Sequence, residues 1–349
     1  MRLNHVTKYV MKQGLLALTI SAVVASLGIS VATTAAELPN GTPNNPVPAG
    51  QELCNLNVGF VIDRSNSIRN DSNANPGIIT KAVSDVTASL QGTDSKVALW
   101  SFGTKATGYT GVNPLNKEDT ITAADYPGIG LTSVKDAGGV NAVKNTVASI
   151  PYGTDREKNT PQQIHLVRTG YTNWQAALGE AIANGNRPSD SDILFVLSDG
   201  DPNFYTNAQG EGVWDATRKT GEPVVAGVNA ANTIKAGSNK TRIVVLAVGD
   251  STSDASYIAN IKRITGGLNA AKEGQDYFRG NYNQLGVMMR AAIQQACDKK
   301  PVEEPKEEPE QKPTVLPNTG AGSFIALFSG VSGLAAGTHA FVNARRRNR

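Results

Sequence analysis

The sequence predicts an α/β fold with a mostly parallel central sheet and helices on both of its faces. Between residues 53 and 298, apolar β-branched runs of strand length alternate with alanine-containing stretches of helical periodicity. Strands that alternate with helices are joined by right-handed crossovers, which build a doubly wound parallel sheet. Several strand runs are apolar at nearly every position, as expected for strands that are covered on both faces.

Five strands and six helices are predicted in this region, and long polar stretches separate some of them. The predicted strands are residues 56–63, 96–103, 192–198, 242–249 and 277–279, and the predicted helices are residues 77–90, 139–150, 174–184, 224–235, 253–265 and 282–297. After the second strand, the run TKATGYTG is compatible with a hairpin, which would give one antiparallel edge strand. Residues 104–131, 151–170 and 200–223 are predicted loops, and loops of this length are usually functional or disordered.

The first 36 residues have the organisation of a secretory signal peptide. Arg2, Lys8 and Lys12 precede an apolar run, which is followed by the small residues TTAA near Ala36. An uncleaved membrane anchor is the alternative interpretation. Both interpretations place the body of the protein outside the cytoplasm, and the polar residues 37–52 would then link the mature N-terminus to the first strand.

The C-terminus carries a second targeting pattern. The sequence LPNTG at residues 316–320 is followed by an apolar segment, 321–342, and by the basic tail 343–349. The apolar segment is long enough to span a bilayer, and the arginines would keep the tail in the cytoplasm. A plain single-span anchor would have the same span and tail. With LPxTG in front, the pattern resembles the cell-wall sorting signal of Gram-positive surface proteins.

That resemblance implies attachment to the cell wall by a sortase. The enzyme would cut between Thr319 and Gly320 and join Thr319 to peptidoglycan or to a pilus subunit, with Leu316 and Pro317 as substrate residues. Before this motif, residues 299–315 repeat proline at every fourth position with Glu and Lys between. Such a composition does not fold into a core and favours an extended path, so we expect a stalk.

The charge distribution argues against a nucleic-acid partner. The formal net charge is +3, but seven of the 33 basic residues lie in the first 36 or the last 29 residues, where no acidic residue occurs. Residues 37–320 therefore carry 26 basic and 30 acidic groups, a net charge of −4. A nucleic-acid-binding domain would instead concentrate basic residues on one face.

Three segments place oxygen-bearing side chains beside predicted strand or helix ends. The run VGFVIDRSNS delivers Asp63, Ser65 and Ser67 at alternating positions, Thr172 precedes a helix, and Asp199 follows a strand. Carboxylates and hydroxyls are hard ligands that suit Mg²⁺ or Mn²⁺. The carboxyl edge of a parallel sheet is where open α/β folds bind ligands. Taken singly, each segment is also explained by an ordinary turn or helix cap.

Together the three segments resemble the metal-ion-dependent adhesion site of von Willebrand factor type A domains. DRSNS fits the DxSxS pattern of the first metal loop, GYT with Leu178 is similar to the second loop, and SDGDPN is similar to the third. The resemblance covers residues 53–298 and implies a Rossmann-like doubly wound fold with one antiparallel edge strand. It also implies Mg²⁺ (or Mn²⁺) as cofactor, with Asp201 as a further carboxylate nearby. The implied metal ligands, some through water, are Asp63, Ser65, Ser67, Thr172 and Asp199.

The same resemblance implies adhesion as the function. A carboxylate of a ligand on a host or neighbouring cell would complete the coordination shell of the metal. Aromatic residues dominate binding hot spots, so we expect at most two of four aromatic residues to contact that ligand. The candidates are Trp174, Phe204, Tyr205 and Trp214. The alternative is a structural pilus or cell-wall component whose domain has no external ligand.

Catalysis is not expected. His5 and His339 lie in the two end segments, which leaves His165 alone in the mature domain, and no nucleophile motif accompanies it. A metal-dependent hydrolase is the third and weakest hypothesis.

The chain contains two cysteines, Cys54 and Cys297, near the two ends of the predicted domain. The ends of a domain often lie close together, and secreted proteins form disulfides, so we expect the two to pair. Two free thiols are the alternative. Certain type A domains of von Willebrand factor carry a similar terminal bridge, which here would hold the end of the last helix.

Overall fold

A computed structural model describes residues 45, 55–70, 76–114, 120–152, 170–215 and 221–297. The strands are β1 Asn57–Asp63, β2 Lys96–Phe102, β3 Gly111–Val112, β4 Thr120–Ile121, β5 Ile129–Ser133, β6 Ile193–Ser198, β7 Phe204–Thr206, β8 Gly212–Trp214, β9 Arg242–Val248 and β10 Tyr277–Gly280. The helices are α1 Asn66–Asn70, α2 Pro76–Ser89, α3 Ala137–Ala148, α4 Glu222–Ala236, α5 Ala255–Thr265 and α6 Leu285–Cys297. A π-helix, Ala176–Glu180, precedes β6.

The central sheet has six strands in the order β10-β9-β6-β1-β2-β5. All neighbouring pairs are parallel except β2 and β5, so the predicted α/β sheet with one antiparallel edge strand is confirmed. In the parallel register, Asp63 lies opposite Phe102 and Ile62 lies opposite Leu197. The carboxyl ends of the three central strands therefore meet at one edge, where the first and third candidate metal loops begin.

The pleat of each central strand sends alternate side chains to two separate core layers. On β1, Phe60 and Ile62 pack in the layer that contains α2, α3 and α6, and Phe60 stacks on Phe195 with ring centroids 5.5 Å apart. Val61 faces the opposite layer, where α4, α5 and the π-helix pack. Burial on both faces explains why the strand runs are apolar without alternation.

The observed elements differ from the predicted ones in three respects. The chain does turn back after β2, since Ala106 bridges Phe102, but the antiparallel edge strand is β5, further along. The helix predicted at 174–184 ends early, because the π-helix stops at Glu180 and the left-handed residues Asn184 and Gly185 follow. The predicted loops 104–131 and 200–223 contain two short hairpins, β3–β4 and β7–β8.

Many of the predictions about the two ends of the chain fall outside the described residues. This applies to the signal peptide, the stalk, the LPNTG motif, the span at 321–342 and the basic tail. Within the described ranges, no helix is long and apolar enough to cross a membrane. Cys297 ends α6 and packs against the core, but Cys54 is outside the described residues, so the disulfide stays a prediction. His165 lies outside them as well.

One residue of the predicted N-terminal linker is described, and it contacts the sheet. The Asn45 side chain donates to the Ile243 carbonyl at 2.7 Å and accepts from the Ile243 N–H at 2.9 Å. It also donates to Asp276 Oδ1 at 3.1 Å. Asn45 thus occupies the edge of β9 just before β10 begins to pair with that strand.

Candidate metal site

The first loop is fixed by the carboxylate of Asp63, at the buried end of β1. Asp63 Oδ1 accepts a hydrogen bond from the Ser65 N–H at 2.8 Å, which closes a tight turn over Arg64. Asp63 Oδ2 accepts from Ser198 Oγ at 2.9 Å, at the end of the neighbouring strand β6. Because both carboxylate oxygens are held, the side chain has one defined orientation.

A chain of hydrogen bonds connects the first loop to the third. Ser65 Oγ and Ser67 Oγ are 2.9 Å apart, and Ser67 Oγ donates to Asp199 Oδ1 at 2.8 Å. Ser65 and Asp199 are buried, whereas Ser67 is exposed to solvent. The structure therefore brings four of the predicted residues together, with Asp63 in the interior and Ser67 at the opening.

The fifth predicted residue, Thr172, lies on a segment held between these two loops. Its N–H donates to Asn203 Oδ1 at 2.9 Å, and its carbonyl accepts from the Asn203 and Phe204 N–H groups. Two residues earlier, the Gly170 carbonyl accepts from the Asn66 N–H at 3.3 Å. Thr172 is buried, and its backbone is fixed from both sides.

The third loop is also anchored to helix α5. Asn260 Nδ2 donates to Asp201 Oδ1 at 2.9 Å, and the Tyr257 hydroxyl donates to the Ser198 carbonyl at 2.8 Å. The expected further carboxylate, Asp201, therefore has a clear structural role: it ties the loop after Asp199 to α5.

The electrostatics of the site favour a bound cation. Burial raises the pKa of Asp63 to about 6, although the hydrogen bonds from Ser65 and Ser198 and the charge of Arg64 act against the rise. A divalent ion next to a buried carboxylate favours its ionised form. A cation next to Asp63 would therefore offset the cost of burying its charged form.

The available donor atoms are hard oxygens. Among the described residues there is no group of three or more His, Cys, Asp or Glu side chains able to hold a metal, so hydroxyls must complete any site. Asn66 Oδ1 and Thr104 Oγ1 are buried without a hydrogen-bond partner in the protein. Asn66 directly follows Ser65, and polar atoms of this kind are usually satisfied by water or an ion. The donor set fits Mg²⁺ or Mn²⁺ better than a soft metal.

The structure separates the four candidate contact residues into two pairs. Trp174 and Phe204 are fully buried and offer no surface to a ligand, which leaves two of the four candidates, as the expected limit of two allows. Trp174 packs on Gly227, whose missing side chain leaves room for the indole, and its Nε1 lies 3.4 Å from Ser198 Oγ. Tyr205 is partly exposed, and Trp214 is 37% exposed on the β7–β8 hairpin.

An aromatic cluster connects this hairpin to the second loop. Tyr171 stacks on Phe204 with centroids 5.7 Å apart and lies 6.2 Å from the Trp214 ring. Because Tyr171 precedes Thr172, this cluster links the β7–β8 hairpin to the segment that carries Thr172.

Sequence reasoning missed several residues that organise the site, namely Arg64, Ser198, Asn203 and Asn260. One of them had a detectable signal, since Ser198 is a hydroxyl at the end of the otherwise apolar strand ILFVLS. Asn203 and Asn260 look like ordinary loop and helix residues, because their partners are distant in the sequence.

No protein-family model and no curated protein sequence matches the chain. Among solved structures, the pilus adhesin SpaC from Lactobacillus rhamnosus GG is similar over 73% of this chain and 31% of its own, with 15% identity and a TM-score of 0.45. The chain thus spans about a third of SpaC.

Two further structures are similar over about the same share of the chain. The vWF domain of the type V pili tip protein Mfa5 from Porphyromonas gingivalis matches 71% of this chain and 95% of its own at 12% identity, with a TM-score of 0.41. Proximal thread matrix protein 1 from the mussel byssus, with zinc in its MIDAS motif, matches 74% and 49% at 14% identity, with a TM-score of 0.38.

Proposed function

We propose that the chain is a surface adhesin that binds its ligand through Mg²⁺ (or Mn²⁺) held by Asp63, Ser65, Ser67, Thr172 and Asp199. The observation that carries the proposal is the hydrogen-bonded series Ser65–Ser67–Asp199 at the carboxyl edge of the sheet, with its last hydroxyl open to solvent. A buried site would favour a structural ion, whereas an open one can admit a group from another molecule.

The five proposed ligands contribute two kinds of oxygen to the ion. Asp63 and Asp199 supply the negative charge, and the three hydroxyls supply neutral oxygens. Both Asp63 oxygens already accept hydrogen bonds, from the Ser65 N–H and from Ser198 Oγ, and a carboxylate has about four lone-pair sites, so it can also bind a cation. When bound, the ion supplies a Lewis-acidic position that an external carboxylate can occupy. Two protein carboxylates and three hydroxyls leave room for that sixth oxygen.

The surroundings of the site would select the ligand. Trp214 and Tyr205 are the aromatic residues of the β7–β8 hairpin that retain exposed surface. Exposed aromatic side chains are common hot spots, so we assign ligand contact to these two.

The targeting patterns in the sequence support display on the cell surface of a Gram-positive bacterium. In this proposal, residues 1–36 direct secretion, and a sortase joins Thr319 to peptidoglycan or to a pilus subunit. Residues 299–315 then act as a stalk that carries the domain away from the wall. Catalysis has no part in the proposal.

Thermal unfolding of the purified protein with Mg²⁺, with Mn²⁺ and with EDTA tests the metal site. A ligand at 100 times its dissociation constant adds about 2.7 kcal/mol to the unfolding free energy, which is several degrees in Tm for a domain of this size. Asp199→Ala should abolish the increase. Asp192→Ala, at the opposite end of β6, is the matched control and should keep it. A wild-type Tm that ignores millimolar metal contradicts the proposal.

Adhesion is tested separately with cells that display the protein. Attachment of these cells to host cells or to neighbouring bacteria should require divalent metal and should be lost in Asp199→Ala at equal surface expression. If the metal-dependent Tm is present but attachment is identical in the two strains, the structural alternative replaces adhesion.

A further inference from the structure

A buried arginine lies inside the first candidate metal loop. Arg64, between Asp63 and Ser65, is fully buried, although it belongs to the same edge of the sheet as the exposed Ser67. Arginine is almost never fully buried unless its charge and donors are satisfied. Its position therefore depends on specific contacts.

The guanidinium group of Arg64 donates hydrogen bonds to the backbone of two other segments. Nε donates to the Pro151 carbonyl at 3.0 Å, and Nη2 donates to the same oxygen. Nη1 donates to the Asp125 carbonyl. The guanidinium carbon also lies 5.2 Å from the centroid of the Tyr126 ring. The planar guanidinium group of arginine can make these contacts together, whereas the ammonium group of lysine cannot.

The atoms that Arg64 contacts are themselves held by other parts of the fold. Asp125 closes a short turn, because its carboxylate accepts from the N–H and Oγ1 of Thr122, both at 2.8 Å. The Tyr126 hydroxyl accepts from the Lys105 N–H at 3.0 Å. Pro151 comes shortly after α3. The guanidinium group of Arg64 therefore contacts groups that are themselves held in place by the fold.

We propose that Arg64 is a positioning residue that holds Asp63 and Ser65 in place for the metal. The Arg64 N–H donates to the Phe102 carbonyl at 2.9 Å, so its backbone continues the β1–β2 ladder. With both its backbone and its side chain fixed, the peptide units on either side, which carry Asp63 and Ser65, have little freedom. This inference rests on the proposed function, because it concerns the same metal site.

Removal of Arg64 has two opposite effects on cation binding. Loss of the positive charge reduces repulsion of a nearby cation and would tighten binding. Loss of the guanidinium hydrogen bonds frees the loop from the Asp125 and Pro151 carbonyls. This would weaken binding, because the ion must then order a flexible site. Positioning dominates in our proposal, so affinity should fall.

The test is Mn²⁺ binding to the purified full-length protein, followed by electron paramagnetic resonance. Arg64→Met and Arg64→Lys should each bind Mn²⁺ at least tenfold more weakly than wild type. The matched control is Arg242→Met, which removes a second buried arginine whose Nη2 contacts the Gln275 carbonyl at the opposite end of the sheet. This control should keep wild-type affinity. Circular dichroism selects a temperature at which all variants are folded.

Each other outcome overturns a defined statement. Unchanged or tighter binding by Arg64→Met refutes positioning, and wild-type affinity in Arg64→Lys shows that the several hydrogen bonds of the guanidinium group are not needed. An equal loss in Arg242→Met assigns the effect to general destabilisation. If wild-type protein binds no Mn²⁺, the proposed function fails and the positioning role falls with it. Binding by wild type and by all variants alike refutes only the role of Arg64.

Discussion

The two ends of the central sheet carry similar polar side chains but use them differently. At the amino end, Asp192 Oδ2 accepts from the Asn57 N–H at 2.7 Å, and Asn45 pairs with both backbone groups of Ile243. These side chains satisfy backbone groups that the strands leave open. At the carboxyl end, the side chains of Ser65, Ser67 and Asp199 bond mainly to one another.

The two ends of the sheet therefore differ in whether their polar side chains can exchange hydrogen-bond partners. A side chain that caps a buried backbone group cannot give up this hydrogen bond without a cost, because an unsatisfied buried N–H costs about 1–3 kcal/mol. Side chains that share protons among themselves can exchange those contacts for a cation without leaving the backbone unsatisfied. The amino end therefore contributes stability, and the carboxyl end can contribute binding.

The largest effect is expected at the amino end, at Lys235. Its Nζ donates to the Ile264 and Thr265 carbonyls at the end of α5, and burial lowers its pKa to about 8. Between pH 8 and the usual lysine pKa of 10.5, the unfolded chain binds more protons. The unfolding free energy should therefore rise with pH, by on the order of 3 kcal/mol.

Urea unfolding in EDTA between pH 7.5 and 10.5 checks this expectation. Lys235→Met, which keeps the aliphatic stem, should show a flatter profile than wild type. Parallel profiles for the two proteins would mean that Lys235 titrates normally.

A titration of the opposite sign is expected at the carboxyl end. Because burial raises the pKa of Asp63 to about 6, the folded state binds more protons than the unfolded state between pH 4 and 6. The unfolding free energy without metal should fall across this window by on the order of 3 kcal/mol relative to Asp63→Asn. Saturating Mg²⁺ should stabilise wild type above pH 6 and leave Asp63→Asn unchanged. Equal responses to Mg²⁺ would remove Asp63 from the site.

A pair of hydroxyl deletions compares the two ends directly. Ser198→Ala removes the donor to Asp63 Oδ2, so Mn²⁺ affinity should fall about tenfold, or roughly 1.4 kcal/mol. Thr241→Val removes a buried hydroxyl that donates to the Ser191 carbonyl at 2.6 Å at the amino end. It should lower the unfolding free energy by about 1 kcal/mol without changing Mn²⁺ affinity. Metal titration and urea unfolding of both variants provide the comparison, and a metal effect from Thr241→Val would contradict it.

The smallest effect is expected for Asn45→Ala, which removes the side-chain contacts with Ile243 and Asp276. The unfolding free energy should fall by about 1 kcal/mol, and the Ile243 amide should exchange faster with solvent. Asn229→Ala, on the exposed face of α4, is the control and should change stability by less than 0.5 kcal/mol. Unchanged exchange at Ile243 would show that Asn45 does not protect this edge.

The local sequence pattern predicted the structure well where a single kind of interaction determines it. The strands β1, β6 and β9 are apolar over nearly their whole length, and burial on both faces is the main determinant of such runs. The spacing of Asp63, Ser65 and Ser67 after β1 likewise defined the first loop, because the turn that positions them is made within five residues.

Local pattern failed where packing partners come from elsewhere in the chain. Trp174 was a candidate for ligand contact next to the second loop, but Gly227 on α4 provides the space that buries it. The segment 174–184 has helical periodicity throughout, yet the helix ends at Glu180 in a π-helix packed against α4. Neither result follows from nearby residues.

The sequence by itself determined the α/β order of elements, the apolar strands and the residue types of the candidate metal loops. Only the tertiary structure decided how equivalent polar residues are used: Asp192 and Asp199 flank the same strand, but one caps the backbone and the other meets Ser67. It also decided that Arg64 is buried on the Asp125 and Pro151 carbonyls. The physical reason is that strand and turn formation depend on neighbours in sequence, whereas the partner of a polar side chain depends on which distant segments the sheet brings to the same edge.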